Sequence, residues 1–167
     1  MIVDLCPCGS SKSYQECCQL FHHSNALPET AQQLMRSRYC AFVKDDCHYL
    51  FATHSPTTRQ HVSVSSIEQW NNQCQWLGLD IKATPQPDIV EFVAWFKQDG
   101  QLQHHHEISR FDKQIMDDEL ATRFEKRESS CWYYVDATYP QRSAAIPKRN
   151  DYCICRSGKK FKKCCGS

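Results

Sequence analysis

The chain opens and closes on the same cysteine pattern, and this repeat constrains the fold more than any other feature. Cys6-Pro7-Cys8 is followed after eight residues by Cys17-Cys18, and Cys153-Ile154-Cys155 after eight residues by Cys164-Cys165. Both segments read C-x-C-x8-C-C without a gap. Ser10/Ser157 and Lys12/Lys159 match as well, and Tyr14/Phe161 is an aromatic pair, so six of thirteen positions are identical. Eight of the twelve cysteines thus fall into two groups of four thiols, the ligand number of a closed structural zinc site.

Segments this short cannot bury enough apolar surface to hold themselves folded. Four thiolates on Zn²⁺ supply about 10 kcal/mol at neutral pH, enough to order such a knuckle. The spacer is expected to hold a turn and a short helix, with Ser10 and Ser157 placed as N-caps and Gly9 and Gly158 giving a tight turn. The Tyr14/Phe161 ring is expected to cover one face of the metal. The alternative is disulfide pairing, which suits secreted chains. The first residues, MIVDLCPCGSS, do not read as a secretory signal, and adjacent cysteines pair with each other only under strain. The expectation is two zinc ions per chain, held by Cys6, Cys8, Cys17 and Cys18 and by Cys153, Cys155, Cys164 and Cys165, in a cytoplasmic protein. Cys40, Cys47, Cys74 and Cys131 lie apart in sequence and read as small apolar residues.

The 167 residues allow one ordinary domain plus small appendages, and the charged fraction of 23% with 11% aromatics is a globular composition. No apolar run is long enough to span a bilayer. The net charge of +1 is unevenly spread: residues 148–167 carry seven basic side chains against Asp151. A basic knuckle suits nucleic acid or an acidic protein face, while the same lysines also offset the charge of a four-thiolate metal centre.

Three units are expected: residues 1–20 and 150–167 as knuckles and residues 28–145 as the body, with 19–28 a linker. Pro28, Glu29 and Thr30 open a helix whose apolar positions 31, 34, 35, 39, 42 and 43 keep the helical period, with Arg38 on the same stripe. Further helices are predicted over Asp46–Thr53 and Ser66–Gln73, the latter with Trp70 inward. Strands follow over Trp76–Ala83, Ile89–Lys97, Gln101–Phe111 and Cys131–Thr138, with Asp99-Gly100 as a hairpin turn. The polar stretch between Phe111 and Cys131 has no clear pattern beyond a short helix around Asp118–Phe124. Helices first and an antiparallel meander afterwards give an α+β domain.

CPCGSSKSYQECC and CICRSGKKFKKCC resemble the SEC-C motif, named for the C-terminus of the bacterial preprotein translocase motor, where the zinc-bearing tail docks an export chaperone. LMRSRYCAFV (Leu34 to Val43), Tyr49-Leu50, Trp76 to Leu79, Glu107 to Phe111 and Trp132 to Asp136 resemble the YchJ family of uncharacterised bacterial proteins. This resemblance covers nearly the whole chain. It implies a central domain similar to the nuclear-transport-factor-2-like (NTF2-like, cystatin-like) fold, a cone of helices on a curved antiparallel sheet between two zinc knuckles. It implies a fold and a metal, not a reaction. The chain departs from the family pattern at Arg156, where the motif usually has glycine, at Ile108, where the family has arginine, and in a longer stretch from Phe111 to Trp132.

Such a cone often leaves a pocket. The polar residues in otherwise buried elements are Arg36, Arg38, Tyr39, His54, Glu107 and Ser109. Glu107, Ser109 and Phe111 share one face of their strand. A buried carboxylate needs a partner, and Arg38 or Arg36 is the expected one, in a structural ion pair. Neighbours on a strand face opposite ways, so His104-His105-His106 cannot bind one ion together, and His104 and His106 read as surface or rim residues. No phosphate loop, nucleophile elbow or H-E-x-x-H is present, and four-thiolate sites leave no open position on the metal. Three functions follow in order: a zinc-dependent module that binds a protein partner, in secretion or protein quality control; a small-molecule binder or acid–base enzyme using the pocket; and nucleic-acid binding through the basic knuckle.

Overall fold

A computed structural model describes residues 4–126, 128–141 and 144–166. Four helices precede a meander of four antiparallel strands in the order β1-β2-β3-β4. The helices are α1 (Cys18–His22), α2 (Ala31–Val43), α3 (Cys47–Ala52) and α4 (Val64–Asn71). The strands are β1 (Gln75–Gln86), β2 (Ile89–Gln98), β3 (Gln101–Ile115) and β4 (Ser130–Thr138), with α5 (Asp118–Phe124) between the last two. This is the expected α+β architecture.

Each element starts where local chemistry allows. The Thr30 hydroxyl accepts from Gln33 N–H and caps α2. Asp46 caps α3, and Ser63 with Ser66 closes a reciprocal capping box that starts α4 two residues earlier than the pattern suggested. Asp99 and Gly100 both have positive φ, +51° and +76°, as a tight β2–β3 turn requires. Leu34, Met35 and Tyr39 of α2 pack on Phe92 and Ala94 of β2 and Phe111 of β3. Each such side chain contributes about 1.5–3 kcal/mol by leaving water.

Two expectations need correction. Residues 19–28 are not a plain linker, because α1 begins at Cys18 and buries His22. His22 Nε2 donates to the Ser37 carbonyl at 2.9 Å, so Nδ1 accepts from the Tyr14 hydroxyl, also at 2.9 Å. This relay ties the N-terminal segment to α2. The unpatterned stretch after Phe111 is mostly regular structure: β3 runs on to Ile115, and Asp117 caps α5 while accepting from the Tyr133 hydroxyl. The arginine on the apolar stripe is not misplaced. Arg38 is buried, donates from Nη1 to Leu50 O and Thr53 Oγ1 at 2.7 Å each, and lies 4.8 Å from the centre of the Tyr134 ring.

Candidate metal centres and central cavity

The two cysteine segments fold alike, bond for bond. Cys6 N–H donates to Lys12 O and Cys153 N–H to Lys159 O, both at 2.8 Å. Gly9 N–H reaches Cys6 O at 3.0 Å, as Arg156 N–H reaches Cys153 O at 2.9 Å. One isolated bridge closes each turn, Leu5 with Ser13 and Tyr152 with Lys160. Both turns need two residues at positive φ, and each uses one glycine for the pair. These are Gly9 (+76°) and Ser11 (+65°) in one, and Arg156 (+59°) and Gly158 (+75°) in the other. The missing glycine at position 156 is therefore matched by a gained one two residues later. Ser10 and Ser157 are not N-caps. Their hydroxyls lie 3.2 Å from Cys17 Sγ and 3.4 Å from Cys164 Sγ, within hydrogen-bond reach of one sulfur of each quartet. The short helix in the spacer is a 3-10 turn, Phe161–Lys163, in the C-terminal copy, whereas in the N-terminal copy the helix starts only at Cys18.

In each copy the four sulfurs lie within 4.8 Å of one another. Cys8 and Cys17 sulfurs stand 3.6 Å apart, and those of Cys155 and Cys164 3.4 Å. Tetrahedral sulfurs at about 2.3 Å from a zinc ion stand about 3.8 Å apart, and a disulfide needs about 2.05 Å. All twelve cysteines are free thiols. Both clusters therefore fit a four-coordinate metal ion and not cystines.

The two centres differ in their surroundings. Cys6, Cys8 and Cys18 are almost fully buried, while Cys155, Cys164 and Cys165 are only half-buried. Arg36 Nη1 donates to Cys8 O at 2.6 Å, so Arg36 braces the N-terminal knuckle and is not in the central cavity. Cys40, on α2, is more than apolar filling. Its sulfur is fully buried 3.9 Å from Cys6 Sγ, a fifth thiol against the N-terminal quartet. Cys131, by contrast, is buried in the main core, and burial pushes its thiol up to about 11, which suits an inert residue.

The knuckles also meet. Gly9 lies directly under the Arg156 guanidinium, and Arg156 Nη2 donates to Leu79 O of β1 at 2.6 Å. Gly78 faces the Ile154 carbonyl.

The central cavity, about 280 Å³, opens between α2, α4 and the sheet. Its apolar wall includes Phe42, Trp70, Trp76 and Phe92, and its polar end includes Arg38, His105, Glu107, Ser109 and Tyr134. Glu107 is buried with both oxygens engaged, accepting from Ser109 Oγ and from His105 Nε2, each at 2.5 Å. Among the described residues no arginine forms an ion pair with Glu107, so the expected helix-to-sheet pair is replaced by a histidine and a serine from the same strand. Of the six candidate residues, Arg38, Tyr39, Glu107 and Ser109 line the cavity. His54 stands behind it, edge-on to the Tyr134 ring, and desolvation with Arg38 and Arg59 nearby holds its pKa down at about 4. The residue that the sequence reading missed is His105. The alternation that places Glu107 and Ser109 inward places His105 inward too. Its neighbour His106 turns to the other face and bonds Glu91 at 2.8 Å.

A family model described as the YchJ middle NTF2-like domain matches residues 30–137, and the SEC-C motif matches residues 4–20 and 149–167. A UPF0225 protein of Actinobacillus succinogenes is 38% identical over 98% of this chain and 97% of its own length. The crystal structure of a SEC-C motif containing protein from Psychrobacter arcticus matches with a TM-score of 0.66 and 33% identity, covering 99% of this chain and 98% of that one. The solution structure of a SEC-C motif containing protein from Rhodopseudomonas palustris matches with a TM-score of 0.67 and 26% identity, over 82% of this chain and 99% of that one.

Proposed function

This chain belongs to the YchJ family, and we propose that it is a two-zinc protein whose working site is the central cavity, where it binds a small molecule. Residues 1–20 and 150–167 serve as knuckles held by Cys6, Cys8, Cys17 and Cys18 and by Cys153, Cys155, Cys164 and Cys165, around a body of 28–145. Zinc in such sites supplies folding energy and no open position for a substrate. The soft, all-sulfur donor sets support zinc over harder divalent ions. The thiolates imply a reducing cytoplasm, and no described helix is long and apolar enough to cross a membrane.

The observation that carries the cavity reading is Glu107. A buried carboxylate is costly, and this one is held in a hydrogen-bonded array at the polar end of an aromatic-walled space. A purely structural ion pair would fill the space around itself. Indole as a minimal flat probe tests this reading. Its addition is expected to shift the ring N–H resonances of Trp70 and Trp76, which line the cavity, and to leave Trp132 unmoved. Ala94→Phe, which fills the cavity from β2, is expected to abolish the shifts. If indole moves neither Trp70 nor Trp76, or if the filled variant binds as well, the cavity is not a ligand site.

A second reading rests on the outer face of the C-terminal knuckle. Tyr152 is 81% exposed there, and Lys159, Lys160 and Lys163 are exposed beside it. This face suits an acidic protein partner, in secretion or quality control by likeness to the translocase tail. A partner captured by the zinc-loaded chain is expected to be lost with Lys160→Glu/Lys163→Glu. Retention by that variant excludes the surface, and a partner that proves to be RNA or DNA, with affinity falling steeply in salt, moves the assignment to nucleic acid.

A further inference from the structure

We infer that the cavity selects a neutral, flat, one- or two-ring molecule carrying a hydroxyl group, and that His105 is the residue that receives that hydroxyl's hydrogen bond. The inference rests on the cavity reading above and adds the chemistry of the guest.

Charge sets the first limit. Arg38 and Glu107 are both buried at the polar end, and their charges offset each other. The carboxylate is fully engaged by Ser109 and His105, whereas the guanidinium spends only Nη1, on Leu50 O and Thr53 Oγ1, while its face lies over Tyr134. A guest with a permanent charge would add an unpaired charge to this balanced set, which is costly away from water.

The second limit is the shape of the wall. Trp76 packs tilted against Phe42 at 5.1 Å and edge-to-face with Trp70 at 5.3 Å and Tyr39 at 5.7 Å, ring centre to ring centre. These rings offer flat apolar faces, and a cavity of about 280 Å³ admits one or two fused rings.

The third limit is the unspent hydrogen-bonding group. An ionised carboxylate can only accept, so His105 Nε2 is the donor in its bond to Glu107. In the neutral imidazole this leaves Nδ1 with the ring's lone pair. The side chain is 39% exposed, at the mouth of the cavity beside Tyr139, whose ring centre is 5.6 Å away. Glu107 thus acts as a positioning residue that fixes which nitrogen of His105 is free to accept, and Ser109 fixes Glu107. A donor on the guest is what this arrangement lacks.

Calorimetry on the zinc-loaded full chain with four probes tests the inference: 2-naphthol, 2-methoxynaphthalene, 2-naphthoate and a 2-naphthyl trimethylammonium salt. The expected order places 2-naphthol first, about tenfold tighter than the methoxy compound, which keeps the rings and lacks the donor. His105→Leu, which removes the acceptor, is expected to abolish that tenfold preference by weakening 2-naphthol far more than 2-methoxynaphthalene, an outcome that general disruption of the cavity does not produce. Glu107→Gln is expected to weaken the preference in the same direction, because an amide no longer fixes the imidazole tautomer. If the two neutral probes bind equally, or if His105→Leu lowers both alike, the hydroxyl assignment fails while the cavity reading stands. If either charged probe binds tightest, the charge argument fails. If none of the four binds, and indole does not bind either, the cavity reading falls with it.

Discussion

Graded chelation of the purified protein is expected to release the metal in two steps, the C-terminal ion first. The sulfurs set the order. At the C-terminal centre Cys155, Cys164 and Cys165 are partly open to solvent, so a chelator can reach a ligand as it dissociates. At the N-terminal centre Cys6, Cys8 and Cys18 are at most 3% exposed, and the sulfur of Cys40 adds further cover. The consequences also differ. The C-terminal knuckle folds on itself and rests on β1 and, through Arg156, on Gly9, so its release leaves the body folded. The N-terminal knuckle is braced by Arg36 and joined to α2 through Tyr14, His22 and Ser37. Removing about 10 kcal/mol of metal-linked folding energy there pulls on the central helix of the domain. Cys164→Ser is therefore expected to halve the zinc content with little change in thermal midpoint. Cys8→Ser is expected to halve the zinc content and lower the midpoint by ten degrees or more, about 3–4 kcal/mol for a chain of this size. Zinc release followed with a colorimetric indicator, alongside thermal denaturation of both variants, decides this. A single release phase, or equal midpoints for the two variants, would overturn the asymmetry.

The sequence carries some of this and hides the rest for a physical reason. Thiol spacing is local, so both quartets are legible. The alternation in IVEFVAWFK and the Asp99-Gly100 turn are local too, and β2 with its hairpin falls where the pattern sets it. α1 escapes notice because five residues are too few to show a period. It forms because Cys17-Cys18 and the His22 relay hold it in place. Arg36, Cys40 and Arg156 are invisible for a different reason: each acts on a segment dozens of residues away, which no window on the chain brings together. His105 is the exception. It lies two residues from Glu107 on the same strand, and the alternation rule already assigns it the same face. It is missed because three adjacent histidines invite a search for metal ligands, which draws attention to His104 and His106. The inward member of the run is the one that meets the carboxylate.

Gly78→Val is expected to detach the C-terminal knuckle from the body without unfolding either. A β-branched residue suits the strand itself, so β1 should tolerate the change. Docking does not, because a Cβ on Gly78 stands 2.3 Å from the carbonyl oxygen of Ile154. That obstacle is backbone, held in the hydrogen-bonded cysteine turn between Cys153 and Cys155, and it cannot swing aside. Gly9→Ala offers the contrast. There the new Cβ meets the tip of Arg156, a flexible side chain that can move, so the cost is limited to the strained φ of +76°, about 1 kcal/mol. In Gly78→Val, displacement of the knuckle takes Arg156 away from Leu79 O and from Asp80, 3.8 Å off, and uncovers Gly9. Overpacking of this kind costs about 1–3 kcal/mol, comparable with what a small docked unit gains from its contacts. Lys148 and Arg149, exposed just before the knuckle, then lie in a segment no longer held at both ends, which trypsin can draw into its active site. The variant is expected to be cut there at least tenfold faster than the parent, releasing a fragment that still carries its metal, while Gly9→Ala is cut at nearly the parental rate. Equal resistance of Gly78→Val and the parent would mean that the knuckle is not held on β1 by this contact, and that the meeting of the two metal-bearing ends through Arg156 has no share in the stability of the fold.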